Sequence, residues 1–196
     1  MFQGTKGIKF LFYTNLLVYA LIFVLASLGL NLLGFFALWN FNSDYFLPHQ
    51  LITYQFLHGG LMHLVFNMLA MVSILPVVED YLDTKKFLIY YLICGIFAGL
   101  FNSFITGSNI PMVGASGSIW GMVVMFALLY PNTKLNFMLI PYGIKAKWMV
   151  GVLAAIELIL GLSNVSDGIG HMAHIGGGIM GLLLLMCEKY IIKNPN

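Results

Sequence analysis

The sequence predicts an all-α polytopic membrane protein, a single bundle of six transmembrane helices. Three observations predict it. Hydrophobic residues make up 60% of the 196 and charged residues only 8%, against about 45–50% and 25% in soluble domains, and the mean hydropathy is +0.92. A chain this short has too little interior to hide that much apolar surface from water, so its solvent is lipid. Six apolar segments are long enough to serve as spans, and the lysines between them sort to one side of the membrane.

A bilayer core of about 30 Å takes roughly 20 apolar residues per helix, fewer where neighbours cover a short one. The expected spans are 10–30, 60–78, 87–105, 115–130, 147–162 and 171–191. Lys6 and Lys9 precede the first, as in a signal peptide. That stretch runs past twenty residues without a convincing small-residue cleavage site, so it reads as a retained membrane helix. Residues 31–59, with Trp39, Tyr45, Phe46 and Pro48, are too apolar for a free linker and too interrupted for a span. They read as a loop lying partly in the membrane interface. The fourth span is short by count, which suggests a helix enclosed by protein. No internal repeat, low-complexity tract or soluble domain boundary divides the chain, and residues 1–196 read as one domain.

The chain has nine lysines and no arginine: Lys6, Lys9, Lys85, Lys86, Lys134, Lys145, Lys147, Lys189 and Lys193. With six spans, all of them fall in the amino terminus, the 2–3 loop, the 4–5 loop and the carboxyl terminus. By the positive-inside rule both termini are cytoplasmic, in the cell (inner) membrane. The net charge of +2 and the lack of a basic patch give no sign of a nucleic-acid partner. Cys94 and Cys187 lie inside apolar runs, so neither a disulfide framework nor a cysteine zinc site is indicated.

Polar residues inside apolar spans are costly in lipid and mark candidate sites. The second span opens on His58, His63 and Asn67, the fourth on Gly114, Ser116 and Gly117, and the sixth on His171, His174 and Gly177. Spans two, four and six run in the same direction, so these openings share the outer side of the membrane. At 1.5 Å rise per residue, Ser116 and His174 should lie roughly 5–10 Å below the outer surface. Gly117 and Gly121, and Ala173, Gly177 and Gly181, form small-residue faces that let two helix backbones approach closely. Such an approach would bring the Ser116 hydroxyl within reach of the His174 ring.

A hydroxyl on an imidazole is the minimum for a nucleophile and its general base. No carboxylate stands near in sequence to orient the ring, so the pair reads as a dyad. Trp120, one turn beyond Ser116, is placed to pack on the imidazole. The Asn67 amide, the His63 ring N–H and the backbone N–H of Ser116, at a helix amino terminus, are the candidate oxyanion donors. Ser118 reads as a packing residue, His58 as lining the site or pinning the loop, and His171 as a cap or rim residue. Glu157, about ten residues into span five, reads as a protonated structural acid, with a role in a gate or in water access as the alternative.

These motifs resemble the rhomboid family of intramembrane serine proteases. The resemblance rests on His58-x4-His63-x3-Asn67, on the Gly114-Ala-Ser116-Gly117 run, and on Ala173-His174-x2-Gly177-x3-Gly181. It implies that Ser116 is the nucleophile and His174 the base, and that His63 and Asn67 line the oxyanion hole. It further implies cleavage of membrane-protein substrates in or beside a transmembrane helix near its outer end, after small residues, with no metal or other cofactor. Substrates would be admitted laterally past span five, beneath the 5–6 loop, 163–170. Glu79 sits where the family often has a structural glutamate. Two departures stand out: His49-Gln50 replaces a common Trp-Arg pair in the outer loop, and Trp120 replaces a Tyr or Phe.

Two other readings stand beside this one. His58, His63, His171 and His174 offer four imidazoles on one side of the membrane, which suits a zinc or copper site in a metal transporter. That reading leaves the Gly-Ala-Ser-Gly run unexplained, and the sequence shows neither a His-Glu-x-x-His motif nor a ligating carboxylate near the histidines. A non-proteolytic relative that binds membrane helices is the other, against which the intact Ser116/His174 pair argues.

Overall fold

In a computed structural model, residues 5–137, 140–163 and 167–193 are described. The chain is an all-α, polytopic membrane bundle, and a helix coincides with each expected span. These are α1 (Lys6–Ser27), α4 (Leu61–Leu82), α5 (Thr84–Thr106), α6 (Ser116–Leu129), α7 (Ala146–Leu162) and α8 (His171–Lys193). Two short helices, α2 (Leu33–Phe36) and α3 (Gln50–Thr53), lie in the long first loop. By length and composition α1, α4, α5 and α8 can each cross a bilayer, whereas α6 has 14 residues and α7 has 17. Several helices run beyond the expected spans, α4 by four residues to Leu82. Hydropathy falls at the first charged residue, whereas backbone hydrogen bonding continues into the interface.

The fold adds one element that periodicity did not suggest. In the 4–5 loop, β1 (Lys134–Phe137) and β2 (Ile140–Lys145) form an antiparallel pair in which Lys134 opposes Lys145.

Helix α6 occupies the centre. At 1.5 Å per residue its 14 residues cover about 21 Å, too little to span unaided. Gly117, Ser118, Ile119, Gly121, Met122, Val123, Met125, Phe126 and Ala127 are all buried, against α4, α5, α7 and α8. The α6–α8 contact is backbone on backbone. A Cβ added at Gly177 would overlap the carbonyl of Gly117, and one at Gly181 would overlap that of Gly121. By contrast α7 buries only Ala146 and Val150, so most of its surface faces away from the other helices.

Buried polar groups fasten the periphery. The Glu79 carboxylate, 2% exposed at the end of α4, accepts from the backbone N–H groups of Gly7 and Ile8 at 2.7 and 2.8 Å. It also accepts from the hydroxyls of Thr84, at 2.6 Å, and Thr5. A negative charge thus caps the free amino-terminal N–H groups of α1 and joins three helices. In the long loop between α1 and α4, Gln50 takes the anchoring role. Its side-chain oxygen accepts from the N–H groups of Trp39 and Leu47, and its amide donates to the carbonyls of Phe35 and Tyr45. The His49-Gln50 replacement therefore leaves the loop anchored by neutral hydrogen bonds. The loop is stapled to the bundle by the Tyr54 hydroxyl, which donates to the Gly95 carbonyl at 2.6 Å, and by a bridge pairing Leu38 with Met112.

Glu79→Ala leaves the buried donors of three helices without an acceptor and is expected to cost about 2–4 kcal/mol of stability. Thermal unfolding in detergent measures it. Lys86→Gln, which breaks an ion pair to Glu188 at a half-exposed lysine, should shift the midpoint far less.

Candidate active site

The amino-terminal ends of α4, α6 and α8 meet around one cavity of about 860 Å³. Its walls include His63, Asn67, Gly114, Ser116, Trp120 and His174. Two features of the chain before α6 shape this wall. Gly114 has φ +129°, which L side chains rarely adopt, and a Cβ there would press on the His63 ring at 2.8 Å. Its N–H is held by the Tyr54 carbonyl at 2.9 Å. Ser116 therefore enters α6 as its first residue, with a backbone N–H outside the helix ladder.

The Ser116 Oγ lies 2.8 Å from His174 Nε2, across 58 residues of sequence. Trp120 stacks on the His174 ring, with centroids 5.7 Å apart and planes 24° apart. Gly117 and Gly177 hold the two backbones together just beyond this pair. Asn67 is buried, and its side-chain NH2 has no hydrogen-bond partner among the described residues. An unpaired buried donor on a cavity wall is costly unless something in the cavity accepts from it. Ser118 turns away: its hydroxyl donates to the Gln55 side chain at 2.9 Å in the core.

His58 lies outside the cavity wall and packs edge-on against His63, with centroids 5.1 Å apart. It is 5% exposed, and neither ring nitrogen meets a partner at hydrogen-bonding geometry among the described residues. Burial, and secondarily the His63 ring, push its pKa down to about 4, against a small opposing contribution from the Phe56 backbone.

The structure adds a carboxylate that sequence proximity did not suggest. Glu157 Oε2 lies 2.6 Å from His171 Nδ1 and 3.0 Å from His174 Nδ1. His171, expected at the rim, also faces Asp167 through Nε2 at 3.1 Å. Depth counted from the end of the bundle where α7 ends and α8 begins was the available signal. Glu157 is five residues from the end of α7 and His174 three residues into α8, so both lie within about 8 Å of that side. The four histidines do not converge on one point. Among the described residues, the group whose atoms could jointly hold a metal ion is Glu157, His171 and His174, without His58 or His63. Of the expected 5–6 lid, residues 164–166 lie outside the described residues.

Because the fold holds His58 neutral down to about pH 4 while the unfolded chain protonates it near 6.5, acidification across that interval favours unfolding. The unfolding midpoint should fall as pH is lowered from 7 to 4.5. His58→Gln should flatten part of that slope, measured by thermal melts at a series of pH values.

Comparison with known proteins follows the same lines. The Rhomboid domain family model matches residues 47–190, which include all the cavity residues above. The rhomboid protease GlpG of Yersinia pseudotuberculosis is 29% identical over 147 residues, covering 74% of this chain and 50% of that protein. GlpG of Yersinia pestis aligns at the same identity and coverage. RHOMBOID-like protein 4 of Arabidopsis thaliana is 32% identical over 136 residues, 69% of this chain and 32% of the relative. The chain thus spans about half the length of the curated GlpG proteins it matches. With the family model covering most of its length, helical spans included, the chain belongs to the rhomboid family.

Proposed function

We propose that this chain is an intramembrane serine endopeptidase that cleaves transmembrane segments of other membrane proteins near the outer face. The single observation that carries the reading is the 2.8 Å contact of Ser116 Oγ with His174 Nε2, on the wall of a cavity that His63 and Asn67 also line. Ser116 Oγ attacks the scissile carbonyl carbon as its proton passes to His174 Nε2. The negative charge that develops on the carbonyl oxygen is met by the Asn67 amide, the His63 ring N–H and the Ser116 backbone N–H. His174 then returns the proton to the departing amine, and water repeats the sequence on the acyl-enzyme. Trp120 limits rotation of the base, and His58 supports His63 through ring packing. No metal takes part in this scheme.

The topology belongs to the same proposal. Residues 1–196 form one six-span domain in the cell (inner) membrane, with both termini cytoplasmic and the cavity opening outward. The confinement of all nine lysines to one side supports it.

Labelling with a fluorophosphonate in detergent tests the chemistry. Label should appear on the wild type, vanish in Ser116→Ala and His174→Ala, and persist with a chelator present. Asn67→Ala should lower kcat by about 10²–10³-fold, while Ser118→Ala keeps most activity because its hydroxyl is spent on Gln55. Activity in Ser116→Ala together with its loss in Ser118→Ala would reverse the nucleophile assignment.

A further inference from the structure

We propose that Glu157 is a positioning residue for the proposed reaction, holding His174 in the tautomer that can accept the Ser116 proton, while His171 holds the Glu157 carboxylate in place. The inference rests on the protease reading above and adds a third member to its Ser116/His174 pair.

If His174 Nε2 is to take a proton from Ser116, the neutral imidazole must carry its own proton on Nδ1. The opposite tautomer points an N–H at Ser116 and cannot act as a base. Nδ1 of His174 is buried, and no partner at hydrogen-bonding geometry satisfies it among the described residues. The Ser116 contact and the Trp120 stack are compatible with either tautomer, because a hydroxyl can donate or accept and an aromatic face does neither. One group near Nδ1 separates the two. Glu157 Oε2, at 3.0 Å, is an acceptor facing that nitrogen. A carboxylate there favours Nδ1–H before proton transfer and stabilises the positive charge on the ring after it.

The contact has ion-pair distance without hydrogen-bond alignment. Alignment has to come from the carboxylate, since Trp120 stacks on the ring face. The same oxygen is held more tightly by His171 Nδ1, at 2.6 Å, and His171 is steadied in turn by Asp167 at 3.1 Å. The result is an alternating row, Asp167, His171, Glu157, His174, Ser116, running from the loop before α8 to the nucleophile. Its central member is the only one carried by α7. The row is therefore complete only where α7 lies against α8.

The test uses the full chain reconstituted in liposomes, with kcat and KM for a transmembrane substrate and the rate of fluorophosphonate labelling as readouts. Glu157→Gln keeps the size and a hydrogen-bonding group for His171. It is expected to lower kcat and the labelling rate roughly 10- to 100-fold with KM within about twofold, and Glu157→Asp should recover part of the loss. Histidine-selective 15N NMR supplies a readout independent of turnover: the His174 ring should be the Nδ1–H tautomer in the wild type and a mixture in Glu157→Gln. Wild-type kcat in Glu157→Gln, a loss confined to KM, or an unchanged His174 tautomer each overturns the inference. So does a stoichiometric divalent metal in the purified chain that is lost in His171→Ala, which would make the cluster a metal site. If the wild type itself is neither labelled nor active, the protease reading fails, and the tautomer measurement still decides the role of Glu157. If Glu157→Gln does not fold, His171→Gln carries the test, with a smaller fall in kcat at unchanged KM expected and no fall overturning it.

Discussion

The contact of α6 on α8, glycine backbone against glycine backbone, is the constraint on which the rest of this structure depends. In lipid there is little hydrophobic drive to bring two helices together, and close packing of small faces supplies the attraction instead. Gly117 and Gly121 present carbonyls where side chains at 177 and 181 would otherwise stand. Ser116 lies one residue before the first of these contacts, and His174 one turn before its partner. The 2.8 Å separation of hydroxyl and imidazole follows from that backbone distance. A spacing only 1 Å wider would matter, because misplacement on that scale can cost about 10² in rate.

Around this central pair the scaffold and the cavity treat polar groups differently. Glu79, Gln50, Gln55 and Tyr54 are buried and bonded to backbone or to other side chains. Such pairing is what a membrane protein requires, since lipid offers no substitute for a lost partner. The buried atoms without partners among the described residues include both His58 nitrogens, Asn67 Nδ2 and His174 Nδ1. These cluster at or beside the cavity. Two scaffold atoms, Asn15 Oδ1 and the Tyr91 hydroxyl, share that condition, while Asn67 Nδ2 and His174 Nδ1 carry it on the cavity wall itself. Unpartnered polar atoms on that wall suit a surface whose remaining partners arrive with a substrate.

Much of this was legible in the chain. The helical membrane class follows from composition, and each apolar segment became a helix, because apolar side chains and a self-satisfied backbone leave few other solutions in lipid. The polar residues that drew attention, Ser116, His174, His63 and Asn67, meet at one cavity because the spans carrying them start on the same side. Three things were not legible. The hairpin depends on the pairing of Lys134–Phe137 with Ile140–Lys145, not on a clear period in the sequence. The anchoring of the long first loop by Gln50 depends on four backbone groups from separate turns converging on one amide. Glu157 looked isolated because distance along the chain hides proximity between adjacent helices.

The sequence by itself determined the solvent, the helical segments and how far from the end of its helix each polar residue sits. These are one-dimensional quantities, fixed by hydropathy, charge and a rise of 1.5 Å per residue. Only the tertiary structure decided which groups at a common depth touch. Rotation of each helix about its axis, and the order of helices around the bundle, are set by packing between segments far apart in sequence. That packing turns Ser118 toward Gln55 and Ser116 toward His174, and it sets the carboxylate of Glu157 between two imidazoles.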